Sequence, residues 1–406
     1  MDLFDKCVGF FSDPAVAQAI GYATNPRTAQ AMGLYPFFIA LDQTEGTEVV
    51  IEGKRLIMIG SNNYLGLTTH PKVRQAAIEA IREYGTSCTG SRFLNGTLVL
   101  HQQLEEQLAD YVGMEKALVF STGYQTNLGT ISALIGRGDV VVIDKEDHAS
   151  IVDGCRLALG QMKRYRHNEL DDLDRVLAGC PPDAGRMVVV DGVFSMGGDI
   201  APLPDIIPIC KKHGARLMVD DAHSLGVLGG GRGTAAHFGV TADVDLIMGT
   251  FSKSFASIGG FIAGSEPVIH WIQHFGRSLM FSASLPAPNV AAVLAALQIM
   301  KAEPERVQRV NEIGERMRRE YRRLGFKIGA SETPIIPIII GDQMDAIMAW
   351  KALLEGGVYC NVALPPAVPE GQSLLRTSYM ATHTDEQMDR VLEVFARVGR
   401  TLGLIS

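Results

Sequence analysis

The sequence predicts an α/β protein: a mainly parallel sheet covered by helices on both faces, followed by a smaller C-terminal α/β unit. Three observations carry this. Short β-branched runs recur along the middle of the chain: ALVF (117–120), DVVVID (139–144), MVVVDGVF (187–194), RLMVD (216–220), DLIMGT (245–250) and GFIAG (260–264). Helical or loop segments separate them, the alternation that crossover connections between parallel strands require. The composition, 47% hydrophobic and 20% charged with 43 Gly and 18 Pro in 406 residues, is that of a globular chain with a full core. It excludes disorder, collagen and coiled coil.

Element by element, residues 1–55 form an N-terminal segment that includes Pro26, Pro36 and the alternating run TEVVIEGKRLIMI, a hairpin turning at Glu52-Gly53. From about residue 70, PKVRQAAIEAIREYG and HQQLEEQLADYVG space their apolar residues as helices do, closed by Gly85 and Gly113. Two helices therefore precede the first buried strand. The large domain runs over 56–288. After Pro286 and Pro288 come the helical NVAAVLAALQIMKAEPERV, a charged helix VNEIGERMRREYRRLG, the strand-like PIIPIIIG and a final helix from about 384, which make a small C-terminal domain over 289–406. The basic cluster RMRREYRR reads as the solvated face of its helix. No internal repeat is present.

The 37 Lys plus Arg against 45 Asp plus Glu give a formal charge of -8, so no global basic field draws the chain to nucleic acid or anionic lipid. A small-molecule partner is expected. Cys7, Cys88, Cys155, Cys180, Cys210 and Cys360 show no C-x-x-C spacing, which argues against a zinc cage or a disulfide framework and for a reducing compartment. The opening MDLFDKCVGFFSDP has acids where a signal peptide needs positive charge, and no uncharged apolar run reaches 18 residues. A cytoplasmic protein is expected, with no resident metal.

In a parallel α/β sheet, ligands sit beyond the carboxyl ends of the strands. RLMV runs into Asp220-Asp221-Ala222-His223-Ser224, with a carboxylate and an imidazole three residues apart. DLIM runs into Gly249-Thr250-Phe251-Ser252-Lys253-Ser254, a lone Lys among small and hydroxylated residues. Such a Lys loses basicity in a dry site and can form a Schiff base with an aldehyde cofactor. The alternative, a phosphate-binding Lys of a nucleotide loop, would need Gly-x-x-x-x-Gly-Lys spacing, which is absent here. ALVF runs into Ser121-Thr122-Gly123-Tyr124-Gln125-Thr126-Asn127, a turn whose free amides suit a phosphate. Tyr124 reads equally as a cover for a planar ring or as a Tyr packed at a helix start. His148, beside acids in DKEDHAS, reads on its own as an ordinary exposed His. Together, a Schiff-base Lys, a phosphate turn and an Asp able to pair with a pyridinium nitrogen specify pyridoxal 5'-phosphate.

With these residues in place, the sequence resembles the α-oxoamine synthase family of fold-type I pyridoxal phosphate enzymes over nearly its whole length. The motifs are SNNYLGL (61–67), GSRFLNGT (90–97), FSTGYQTN (120–127), DKEDHAS (144–150), DGVFSMGGD (191–199), VDDAHSLGVLGGGRG (219–233) and GTFSKSFASIGGF (249–261). The resemblance implies a seven-stranded sheet. It implies catalytic roles for Lys253, which would carry the cofactor; for Asp220, which would keep the pyridine nitrogen protonated; for His223, facing the phenolic oxygen; and for His148, stacked over the ring. Gly123 and Tyr124 match the phosphate turn, Thr250 and Ser252 the hydroxyls near the phosphate, and Ser195 a further cofactor contact. Ser282 and Ser284, in MFSAS, match residues that complete the phosphate site of a neighbouring subunit, so a homodimer with shared active sites is expected. Arg376, in LLRTSYMATH, matches a substrate-carboxylate Arg, with Asn63 and Tyr64 beside it as substrate-binding residues.

Within the family, RFLNGT, the HFG at 237–239 and PPAVP (365–369) look most like the bacterial members that act on serine. The reaction this implies is a decarboxylative condensation of L-serine with a long-chain acyl-CoA, palmitoyl-CoA, giving 3-ketodihydrosphingosine, CoA and CO2. A sister activity using glycine or alanine with another acyl thioester, on CoA or acyl carrier protein, would share every cofactor motif. Membrane contact is expected at most transiently, for product release.

Overall fold

The computed structural model describes residues 2–12 and 26–406; residues 13–25, part of the segment read as 1–55 and including the end of MDLFDKCVGFFSDP, lie outside the described residues. Two compact units divide the chain. One comprises Met1–Ser61, Met196–Gly198 and Glu312–Ser406, the other Asn62–Ser195 and Asp199–Asn311.

In the first unit the strands β1 (Gln43–Glu45), β2 (Glu48–Ile51) and β3 (Lys54–Met58) pair antiparallel in sequence. Glu52 and Gly53 turn the β2–β3 hairpin with φ of 49° and 73°. Two consecutive positive φ values match a hairpin turn to the right-handed twist of its strands, and glycine takes the second at no steric cost. The expected hairpin is therefore present.

The second unit holds β4 (Lys116–Phe120), β5 (Val140–Asp144), β6 (Gln161–Tyr165), β7 (Arg186–Asp191), β8 (Arg216–Asp220), β9 (Leu246–Thr250) and β10 (Gly260–Gly264). They form the seven-stranded sheet that the resemblance implies, in the spatial order β4-β10-β9-β8-β7-β5-β6. Pairings from β6 to β9 are all parallel, and β10 runs antiparallel to both β9 and β4. This is the fold-type I α/β architecture. β5, β9 and β10 are buried at every position, so their β-branched runs are strands covered on both faces. One apolar layer joins Ile143, Val189, Met218 and Ile262 of the sheet to Ile131 of the Gly123–Leu134 helix, Ile151 of the Ala149–Leu157 helix and Ile272 of the Glu266–Phe275 helix. Each such side chain contributes about 1.5–3 kcal/mol on burial. The cover on both faces leaves the strand ends as the place where polar groups can collect.

Returning to the first unit, β11 (Ile335–Gly341), β13 (Asn361–Ala363) and β14 (Ser373–Ser378) make an antiparallel sheet with β14 in the middle, while β12 (Val358–Tyr359) adds parallel to β3. That pairing puts the N-terminal hairpin and the C-terminal segment into one unit. Its core packs Tyr321, Trp350, Tyr379 and Phe395, and the two tyrosine hydroxyls meet at 2.7 Å, which satisfies both inside an apolar cluster. The final helix, Asp385–Thr401, starts at a reciprocal cap between Thr384 and Gln387.

Candidate active site

The carboxyl ends of β4, β5, β7, β8 and β9 open on a cavity of about 340 Å³ within the second unit. Nine residues singled out in the sequence line it: Gly123, Tyr124, His148, Ser195, Asp220, His223, Thr250, Ser252 and Lys253. Separated by up to 130 positions, they converge because strand ends of one parallel sheet point the same way.

Lys253 stands on the loop between the antiparallel neighbours β9 and β10. The Phe251 amide donates to the Gly259 carbonyl at 2.9 Å and the Ser257 amide to the Phe251 carbonyl at 2.9 Å, which fixes the loop from inside. The Thr250 hydroxyl donates to the Gly259 carbonyl at 3.1 Å and lies 2.9 Å from the Ser252 hydroxyl. Lys253 is thus held on a short, internally bonded turn rather than on a mobile loop.

Asp220 ends β8 and is 3% exposed. One of its oxygens accepts from the Ala222 amide at 3.0 Å and the other from Asn127 Nδ2 at 2.7 Å. Both oxygens therefore accept a hydrogen bond from the protein. Asn127 also donates to the Ser150 hydroxyl at 2.8 Å, so one amide group sets two walls of the cavity.

His148 caps the Ala149–Leu157 helix, its Nδ1 accepting from the Ser150 amide at 3.2 Å. The same nitrogen lies 2.8 Å from the Ser150 hydroxyl, which fixes the ring's orientation at the cavity. Burial lowers its pKa and Lys253 lowers it further, against the opposing charge of Asp220. His148 is exposed, as its local sequence suggests, and its exposed ring lines the cavity. His223 receives Tyr64: the tyrosine hydroxyl and His223 Nδ1 lie 2.7 Å apart, both buried.

The Gly123–Leu134 helix opens at the cavity, with Thr122 accepting the Gln125 amide at 3.0 Å and the first amides left without helical partners. A Cβ on Gly123 would come within 2.6 Å of the Thr250 hydroxyl, so only glycine leaves this space for a ligand. The donor set fits pyridoxal phosphate: helix-start amides with Thr250 and Ser252 for a phosphate, an anion for a pyridinium, a histidine wall and a lysine. Tyr124 is 42% exposed and its hydroxyl donates to Asp153.

Five of the candidates do not line the cavity. Asn63 closes its own turn, accepting from the Leu67 amide at 3.0 Å and donating to the Thr68 hydroxyl at 2.9 Å. Tyr64 is joined to the site through His223. Ser282 accepts from Gln125 Nε2 at 3.0 Å, and the buried Ser284 hydroxyl has no partner among the described residues. Arg376 lies on β14 of the first unit and is buried. Conversely, Asn127, Ser150 and Asp191 line the cavity without having been singled out. Asn127 falls inside the FSTGYQTN motif, where its place one turn into a helix that starts at a strand end was the available signal.

Comparison with known proteins agrees with this geometry. The family model for aminotransferase class I and II matches residues 54–395. A serine palmitoyltransferase of Bacteriovorax stolpii is 53% identical over 365 residues, 89% of this chain and 87% of that one. An 8-amino-7-oxononanoate synthase of Symbiobacterium thermophilum is 44% identical over 375 residues, 92% and 96% of the two chains. The solved Sphingomonas wittichii serine palmitoyltransferase matches all of both chains with a TM-score of 0.94 at 40% identity. A serine palmitoyltransferase variant from S. paucimobilis, solved with bound pyridoxal phosphate and myriocin, gives 0.94 at 38% identity over the full length of both. The chain belongs to the aminotransferase class I and II family. Within that family it is a pyridoxal phosphate-dependent C-acyltransferase of the α-oxoamine synthase group.

Proposed function

We propose that the protein condenses L-serine with a long-chain acyl-CoA such as palmitoyl-CoA, releasing CoA and CO2 and forming 3-ketodihydrosphingosine, the first step of sphingolipid synthesis. The observation that carries this is the run of relatives named serine palmitoyltransferase at 53%, 49% and 48% identity, each over about nine-tenths of the chain. The second reading, glycine or alanine with a different thioester on CoA or acyl carrier protein, is kept for the 44% relative named 8-amino-7-oxononanoate synthase.

Pyridoxal phosphate, when bound, supplies an electron sink for the substrate Cα. Lys253 would hold the cofactor aldehyde, the Gly123 and Tyr124 amides with Thr250 and Ser252 its phosphate, Ser195 and His223 its ring substituents, and Asp220 its ring nitrogen. Lys253 Nζ would be the base for the Cα proton. His148, which lines the cavity beside Asp220 and Lys253, orients the amino acid. Arg376 binds the substrate carboxylate, since the stretch 365–373 holds no arginine, with Asn63 and Tyr64 shaping that subsite. The Cα–C bond forms as the thioester C–S bond breaks, and the Cα–carboxylate bond is then lost as CO2.

We further propose a homodimer with shared sites. Support comes from Phe93, Leu94 and Phe281, apolar side chains 53%, 77% and 72% exposed, two of them in the GSRFLNGT motif and one beside Ser282. Exposed apolar side chains of this size suit cover by a second chain. The division into an N-terminal segment 1–55, a large domain 56–288 and a small C-terminal domain 289–406 is kept as part of this reading. Six free cysteines support a reducing cytoplasm. Among the described residues, no helix is long and apolar enough to cross a membrane.

The test is a matrix of serine, glycine and alanine against acyl-CoA of varied length, following thiol release. Each buried methylene is worth about 0.8 kcal/mol, so palmitoyl should exceed acetyl donors by several kcal/mol. Preference for glycine or alanine, or efficient use of acetyl-CoA, would move the protein to the sister activity. Arg376→Ala should raise the serine KM about tenfold or more, the loss of a charged hydrogen bond.

A further inference from the structure

Asp191 ends β7 and is the register partner of Asp220 on β8. Paired residues of neighbouring strands project to the same face, so two carboxyl groups stand side by side at the cavity, 4% and 3% exposed. Their surroundings differ. Asp220 has a donor on each oxygen, the Ala222 amide and Asn127. Asp191 has one: its Oδ2 accepts from the His148 amide at 3.0 Å, and no donor among the described residues meets Oδ1. Behind it the Asp191 amide donates to Asp147 Oδ1 at 2.8 Å, and Asp147 Oδ2 accepts from the Asp144 amide at 2.8 Å. Adjacent buried carboxyls do not both ionise, and the one with fewer donors keeps the proton.

We propose that Asp191 is a positioning residue of this site, carried as the neutral carboxylic acid, with Oδ2 seating the His148 amide and the proton on Oδ1, so that Asp220 is the single anion of the pair. Burial, then the charge of Asp220, push Asp191 well above the usual carboxylate range; Lys253 and the His148 amide pull the other way, and Asp144 adds to the rise. Asp147 is raised by burial and by its carboxyl neighbours Asp191 and Asp144. A second anion here would hold Lys253 as an ammonium and draw a proton onto His148, and both effects oppose what the site needs from these groups.

The test uses the full-length protein with and without cofactor. Infrared difference spectra at neutral pH should show a carboxylic acid C=O stretch that disappears in Asp191→Asn, with a separate one lost in Asp147→Asn as the comparison. An asparagine can accept from the His148 amide and donate from its own amide group, whereas alanine does neither. Asp191→Ala should therefore weaken cofactor binding by about tenfold, and Asp191→Asn should recover most of that loss. If Asp191→Asn removes a carboxylate band instead, or binds cofactor as poorly as Asp191→Ala, the proposal is overturned. The spectra need no substrate, so this outcome is independent of which amino acid and thioester the enzyme takes.

Discussion

The Tyr64 hydroxyl and His223 Nδ1 lie 2.7 Å apart with both side chains buried, and this contact ties the SNNYLGL turn to the cavity wall. Whichever atom supplies the proton, the bond fixes the ring plane and one tautomer, and so decides what the ring's other nitrogen offers the cavity. Tyr64→Phe should cost about 1–3 kcal/mol, the range for leaving a buried polar group unpartnered. Thermal unfolding measures the loss, and the pH response of the cofactor absorbance should shift with it. Stability and absorbance both equal to the native protein would remove Tyr64 from the site.

Lys253→Ala should abolish the cofactor's lysine-bound absorbance and all thiol release. The Lys253 loop is closed by backbone bonds at Phe251 and Gly259 that do not involve the side chain, so far-ultraviolet circular dichroism should stay native. Native turnover by this variant would sink the cofactor assignment.

Burial against the cavity wall lowers the pKa of His148 from its ordinary 6.5, with Asp220 opposing the drop and Lys253 adding to it. The unfolded chain takes up that proton below pH 6.5 while the folded ring resists it, so this part of the stability is present above pH 6.5 and is lost as pH falls below it. His148→Phe should flatten that acid slope in denaturant titrations. It should also keep some cofactor yet release transaminated side product. An unchanged slope and clean products would return His148 to a surface role.

His167 titrates in the opposite sense. Burial lowers its pKa, but hydrogen bonds to Asp144 and Asp199 at 3.0 and 2.9 Å outweigh this and push it up to about 10. Its contribution is full below pH 6.5 and is lost as pH rises through about 10. His167→Gln should therefore cost about 2–3 kcal/mol at pH 7, the scale of a charged hydrogen bond, and remove the alkaline slope. Equal stabilities of the two proteins at pH 7 would contradict the clamp.

Most of the sheet was legible because buried parallel strands announce themselves as β-branched runs. β6 was not. Its residues Gln161, Met162, Lys163, Arg164 and Tyr165 lie at the sheet edge, where only Tyr165 is buried, so no apolar run marks it. Lys253, Asp220 and Gly123 were legible from chemistry at strand ends, and His148 only from the family resemblance, since nothing local distinguishes it from a solvated His. Asp191 was missed because its meaning lies in register: beside Val190 it reads as the end of an apolar run, and pairing with Asp220 depends on residues 29 positions away. Which side chains Asn63 and Ser282 would bond, Thr68 and Gln125, likewise follows from tertiary packing and not from motif.

The antiparallel pairing of β10 with β9 bears on the order in which the protein assembles. Parallel neighbours need a long crossover before they can meet, whereas β9 and β10 are joined by nine residues whose own backbone bonds close the loop. Low sequence separation favours early contact during folding. The strand pair carrying Lys253 can form while β7 and β8 are still unpaired, so the nucleophile is in place before the carboxylate and imidazole walls arrive around it. Amide protection in β9 and β10 should accordingly precede that of β7 and β8 in pulsed hydrogen exchange during refolding.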